Sequence, residues 1–318
     1  MPEIRNAVVV IAGASSGIGR AAAQVFARHG ARLVLAGRSK ETLDSVVAEC
    51  TRLSADAIAV PTDVSDSAAV QRLVWAATGR FGRIDVWINN AGVGAVGPFE
   101  SVPAEAHAQV VHTNLIGEMN GAHAVLPVFK RQGHGILINT ISMGAWVPAP
   151  FAVSYSASKF GLRGFSEALR AELQDWPGIH VCDVFPGMVD TPGLRHGANY
   201  TGHRIAAGGP ILSPFQVAEA MLSLARRPRG AVTIGLDAWA LRIAHAIAPA
   251  PLRWAAARVM GRALSRAPRA ALSDGNLFTA PQDHAIYGGF RRDARPRIPR
   301  AAWMTAAGII GFWLARRR

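Results

Sequence analysis

The chain has 318 residues, half of them apolar, and a formal net charge of +13. That is ample for one large domain and excludes both a disordered chain and a small disulfide-stapled scaffold. The charge is lopsided: residues 240–318 hold 14 arginines against three aspartates and so carry +11, while the first 239 residues are nearly balanced.

The two cysteines, Cys50 and Cys182, show no pairing pattern and read as buried thiols in a reducing compartment. No metal-ligand spacing occurs among the cysteines and the ten histidines, so no metal site is expected. The first ten residues do not form a secretory signal, because their apolar run is short and leads straight into a glycine loop.

Residues 7–12 are a continuous β-prone apolar run, as expected of a strand buried on both faces. Gly13, Ser15, Ser16, Gly17, Ile18 and Gly19 follow in a G-x-x-x-G-x-G loop, and a helical pattern runs from 20 to 28. Strand, glycine loop and helix together present backbone N–H groups and a helix N-terminus to a pyrophosphate. The next strand, 32–36, ends at Gly37-Arg38-Ser39. A site for NAD places a carboxylate at this point, on the ribose 2′-hydroxyl. Here Arg38 stands instead and can pair with a 2′-phosphate, so the preferred cofactor is NADP(H).

Strands and helices continue to alternate: helix 40–52, strand 57–60 ending at Thr62-Asp63-Val64, helix 66–79, and strand 84–88 running into Asn89-Asn90-Ala91-Gly92. A long helical segment at 102–131 holds Asn114. Strand 135–141 ends at Ser142, and helix 152–174 carries Tyr155 and Lys159. Strand 179–185 leads to Pro186, Gly187, Val189 and Thr191; a loop over 192–213, helix 214–226 and strand 231–235 complete the pattern. This alternation predicts a parallel sheet covered by helices on both faces. Ligands of such sheets bind beyond the carboxyl ends of the strands, where all of these polar stretches fall.

Tyr155 and Lys159 are four residues apart, so a helix sets them on one face. A phenol is a weak acid–base catalyst at neutral pH, and a fixed ammonium one turn away stabilises its phenolate. A serine hydroxyl beside the phenol can hold a substrate oxygen. The glycine loop, Asn89-Asn90-Ala91-Gly92, the Ser142–Tyr155–Lys159 spacing and Pro186-Gly187 together resemble the short-chain dehydrogenase/reductase family over about residues 5–240. The resemblance implies a Rossmann-type doubly wound α/β fold with seven parallel strands. It also implies Tyr155 as general acid or base and Lys159 as the cation that activates it and holds the nicotinamide ribose. Ser142 would orient the substrate and Asn114 support a water-linked proton path. Gly13, Ser15, Ser16, Gly17, Ile18 and Gly19 would cradle phosphates, Asp63 and Val64 bound the adenine, and Asn90, Ala91 and Gly92 line the cofactor cleft with Pro186, Gly187 and Val189. Thr191 would meet the carboxamide. The family's usual threonine before the first glycine is Ala12 here. A homodimer or homotetramer is implied, through the helices at 102–131 and 152–174.

Val93, Met143, Trp146, Val147, Phe151 and Met188 are expected near the substrate and are apolar, which suggests a lipophilic carbonyl or alcohol. His196, Tyr200 and His203, in the 192–213 loop, read as surface residues.

The chain divides into a catalytic domain at 1–240, a basic extension at 241–300 and an apolar segment at 301–318 ending in three arginines. Residues 251–269 form a basic amphipathic pattern, and 270–300 read as irregular. The charge-free run 301–315 would span about 22 Å, short of the ~30 Å of a bilayer core. With 251–269, it suggests peripheral contact on the inner face of a membrane by an otherwise cytoplasmic protein. Nucleic-acid binding is not expected, because the tail's arginines lack interleaved aromatics. The alternative to an enzyme is a cofactor-binding sensor or membrane-associated scaffold without turnover. Such a protein would usually have lost the tyrosine or the lysine.

Overall fold

Every residue of β1 (Val8–Ala12) is buried, which its unbroken apolar run requires of a central strand in a parallel sheet. A computed structural model describes residues 4–205, 210–281 and 283–293. After β1 come α1 (Gly17–Arg28), β2 (Arg32–Gly37), α2 (Lys40–Arg52), β3 (Ala57–Pro61), α3 (Ser67–Phe81) and β4 (Val86–Asn89). The chain continues through β5 (Ala95–Val96), α4 (Ala104–Val111), α5 (Gly117–Gln132), β6 (Gly135–Thr140), α6 (Val153–Glu172) and β7 (Ile179–Pro186). It ends with α7 (Gly193–His196), β8 (Ala198–Asn199), α8 (Pro214–Arg226), β9 (Ala231–Ile234), α9 (Leu236–Ile247), α10 (Pro249–Arg266) and α11 (Phe290–Asp293).

Seven strands form one parallel sheet in the order β3-β2-β1-β4-β6-β7-β9. The strand order reverses between β1 and β4, the crevice where sheets of this kind bind ligands. Two apolar layers cover it. On one face Phe26 of α1, Leu43 and Val46 of α2, and Met221 of α8 pack against Ile11, Leu35 and Ile88. On the other, Leu73 of α3 and Phe129 of α5 pack against Val10, Trp87 and Leu137. Side-chain caps start several helices: Ser39 accepts from Thr42 N, Asp66 from Ala68 N, and Ser213 with Gln216 forms a capping box. Asp63 does not cap α3; its Oδ1 instead accepts from Ser65 N at 2.9 Å and Ser65 Oγ at 2.7 Å.

Three expectations change. The helical segment at 102–131 is interrupted: α4 and α5 are joined by a π-helical turn over His112–Ile116 that contains Asn114. Such turns widen the helix by one residue and put a side chain where a regular helix would not. The 192–213 loop is also structured, because β8 pairs in parallel with β5 and Tyr200 is buried at 9 % exposure. Tyr200 is therefore not a surface residue. Its hydroxyl donates to Asp274 Oδ1 at 2.6 Å, and burial together with that carboxylate pushes its pKa upward.

Asp274 belongs to the third change. After α10, residues 268–281 and 283–293 return across the carboxyl edge of the sheet as a strap. Bridges join Asn199 to Ser273 and His203 to Arg269. Leu277 is fully buried in the cluster that also contains Ala95, Val102, Ala198 and Tyr200 and abuts Tyr155. The Asp190 carboxylate accepts from Phe290 N at 2.9 Å and Arg291 N at 3.3 Å. Irregular backbone is thus held in place by residues scattered over the catalytic body. The apolar segment 301–318 lies outside the described residues. Among those described, no helix is long and apolar enough to cross a membrane.

Candidate active site

The glycine loop is folded tightly against the end of β4. Gly13 has φ of 87°, and a Cβ there would stand 2.6 Å from Ala91 N, so only glycine fits. Asn90 Nδ2 donates to Gly13 O at 3.0 Å and locks the loop to β4. Gly19 does not line the cleft; it lies behind the loop, where a side chain would collide with Asn90 and the Gly13 carbonyl. Its role is close packing. At the start of α1 the Gly17 N–H donates to Ala285 O at 3.1 Å, so the helix N-terminus meets another part of the chain there.

A continuous cleft of about 530 Å³ runs along the sheet edge. It is lined by Gly13, Ser15, Ser16, Gly17, Ile18, Arg38, Asp63, Val64, Asn90, Ala91, Gly92, Ser142, Tyr155, Lys159, Pro186, Gly187, Val189 and Thr191. Ser39 and Thr42 also line it. A glycine-walled trough over a helix N-terminus, with a guanidinium at one end and an ammonium with a phenol at the other, fits a dinucleotide.

At the inner end, Ser142 Oγ accepts from Gly144 N at 3.0 Å, which fixes the hydroxyl at the tip of β6. Gly144 packs closely there, since a Cβ would come 3.2 Å from the Tyr155 ring. Lys159 is 4 % exposed, and its ammonium donates to Thr140 O at 2.9 Å and to Glu118 Oε1 at 3.3 Å. Asn114 does not reach the cleft. Its amide clamps Val93 from both sides, accepting from Val93 N at 2.8 Å and donating to Val93 O at 2.9 Å, and it reaches Ser158 Oγ at 3.2 Å. It acts on the site by holding the β4–β5 connection in place.

Glu118 was not picked out from the sequence. It is fully buried on α5, one helical turn beyond Asn114, and burial raises its pKa to about 8 despite the adjacent Lys159. Its neighbours in the sequence carry no mark that separates it from a solvated acid on a helix surface.

At the substrate end, Val93, Met143, Val147 and Met188 line the cleft as expected, joined by Val96, Leu194 and Ile205. Trp146 and Phe151 do not. Trp146 is sandwiched between the guanidinium groups of Arg163 and Arg242, 3.5 and 3.6 Å from its ring centroid, and so ties the loop after β6 to α6 and α9. Phe151 reaches toward Gly261 of α10. Among the described residues, His196 is the one titratable side chain at this end besides Tyr155 and Lys159, and burial lowers its pKa, which favours the neutral imidazole.

Residues 7–199 match the short chain dehydrogenase family. The chain belongs to that family. It is 34 % identical over 252 residues to the "Uncharacterized oxidoreductase YxnA" of Bacillus subtilis, covering 78 % of this chain and 71 % of that one. It is also 34 % identical over 232 residues to "Dehydrogenase/reductase SDR family member 7B" of Bos taurus, covering 69 % and 70 %. Among solved structures, a short chain dehydrogenase/reductase from Burkholderia phymatum in complex with NAD superposes with a TM-score of 0.67 at 28 % identity, over 86 % of this chain and all of that one. An alcohol dehydrogenase from Thermococcus sibiricus complexed with 5-hydroxy-NADP gives 0.63 at 28 % identity, over 72 % and 96 %. This short-chain dehydrogenase is thus an oxidoreductase whose relatives include both NAD- and NADP-type complexes. The family match stops at Asn199, so the strap lies outside it.

Proposed function

We propose that the chain is an NADP(H)-dependent oxidoreductase that interconverts a carbonyl and an alcohol on a lipophilic substrate. The observation that carries this reading is one cleft lined at one end by Arg38 and the glycine loop and at the other by Ser142, Tyr155 and Lys159. NADPH, when bound, supplies the hydride for the carbonyl carbon. Tyr155 gives its phenolic proton to the carbonyl oxygen as charge develops there, and takes a proton back in the reverse direction. Ser142 hydrogen-bonds the same oxygen, and the Lys159 ammonium stabilises the phenolate left behind. Arg38, with no carboxylate at the end of β2, favours a 2′-phosphate over a 2′-hydroxyl. The apolar lining and the neutral His196 favour a substrate without charge.

Tyr155→Phe removes the proton while keeping the ring. Turnover of NADPH with a panel of lipophilic ketones and aldehydes should fall about 10²–10⁴-fold, with NADPH binding retained. Undiminished turnover would remove Tyr155 from its assigned role, and a panel won by small polar sugars would remove the lipophilic substrate.

We also propose that α9 and α10 contact an anionic lipid surface. Trp239, Ile247, Trp254 and Val259 are 57–65 % exposed there, beside Arg253, Arg258, Arg262 and Arg266. Exposed aromatics among arginines suit a headgroup layer.

A further inference from the structure

The adenine end of the cleft has a wall that the family domain does not supply. Arg38 Nη2 donates to Asn276 O at 2.8 Å and Nη1 to Leu277 O at 3.2 Å, both in the strap. Two donors of the five on the guanidinium are engaged this way, so the fork is fixed and its remaining donors are free of those bonds. Thr42 Oγ1 donates to Ser39 Oγ at 2.9 Å and lies 3.1 and 3.2 Å from the two ring nitrogens of His284. His284 is itself held by its backbone. Its carbonyl accepts from Arg20 Nη1 at 2.8 Å, Arg20 is paired with Glu49, and the next carbonyl, of Ala285, accepts from Gly17 N at 3.1 Å. Asn276 Oδ1 is buried and meets no donor among the described residues. Arg38, Ser39, Thr42, Asn276 and His284 all line the same cleft.

We infer that the strap completes a 2′-phosphate pocket, with His284 as a specificity-determining contact that acts alongside Arg38, Ser39 and Thr42. This rests on the NADP(H) reading above. A phosphate monoester carries close to two negative charges and three acceptor oxygens, and one guanidinium does not saturate it. The ring of His284 and the hydroxyls of Ser39 and Thr42 supply further hydrogen-bonding groups on the same side, whereas Asn276 Oδ1 is an acceptor and offers a phosphate no donor. Asp63 is the acid facing Arg38, and its Oδ1 is occupied by Ser65.

The test compares binding, not turnover. NADPH, NADH, adenosine 2′,5′-bisphosphate and AMP are titrated calorimetrically into the full chain and into Arg38→Ala, His284→Ala and His284→Gln. Removal of the His284 ring should weaken NADPH and the bisphosphate about tenfold, leaving NADH and AMP within about twofold. His284→Gln, which keeps a hydrogen-bonding group, should recover part of the loss. If Arg38→Ala weakens only the phosphorylated ligands while the strap variants match the parent, the strap inference falls and the NADP(H) reading stands. If the strap variants weaken all four ligands equally, the strap is only a wall and the inference falls. If the parent chain does not distinguish NADPH from NADH and Arg38→Ala changes nothing, both readings fall together.

Discussion

Glu118 Oε1 lies 3.3 Å from the Lys159 ammonium, and its other oxygen meets no donor among the described residues. Burial is the larger influence and raises its pKa to about 8, above the ordinary carboxylate value in an unfolded chain. The folded state then binds a proton more tightly than the unfolded state. Stability from this group is complete below the unfolded pKa and is lost as pH rises toward about 8. Glu118→Gln, which does not titrate, should therefore gain in melting temperature relative to the parent as pH is raised from about 4.5 to 8. Melting curves in which the gain shrinks over that range would show that Lys159, not burial, controls the carboxyl. Ser142, Tyr155 and Lys159 were readable because their spacing is local. Glu118 meets Lys159 across 41 residues of sequence, and nothing in a helical pattern distinguishes a buried acid from a solvated one.

The π-helical turn at His112–Ile116 is the element that turns Asn114 inward. Asn114→Ala would leave Val93 N–H and C=O unpaired in a buried place. A loss of about 2–6 kcal/mol in denaturant unfolding is expected, from roughly 1–3 kcal/mol for each of the two unsatisfied groups. Activity should also fall, because Val93 lines the substrate end; a variant as stable as the parent would remove the clamp from the account. The sheet was legible element by element, since buried parallel strands read as unbroken apolar runs and α8 begins with its own capping box. The turn was not, because five residues are too few for an i→i+5 pattern to stand out from the helices on either side. The pairing of β5 with β8 was equally hidden: two-residue strands have no period, and their partners are about a hundred residues apart.

At the scale of the molecule, the tail's charge was visible in the sequence and its path was not. Proline, arginine and glycine mark 270–300 as irregular, but the anchors that order its described part, Asp190, Asn199 and Arg38, lie in distant elements. The surface of α9 and α10 gives a test of membrane contact. The chain should co-sediment with vesicles containing anionic phospholipid and not with neutral ones, and about 1 M salt, which shortens the Debye length to roughly 3 Å, should weaken the binding several-fold. Replacing both Trp239 and Trp254 with alanine should weaken it as well. Failure to sediment with anionic vesicles at low salt would dismiss the lipid reading.

The strap also bears on how finely the protein can be divided. Cutting the chain at residue 240 looks natural from its composition, yet the shortened piece would be an unroofed version of the enzyme. It would lose Leu277 from the cluster abutting Tyr155, strip the Tyr200 hydroxyl of its acceptor, leave the Asp190 carboxylate without its two amides and release the Arg38 fork. Trimming the tail for convenience would thus remove part of the ligand site along with it.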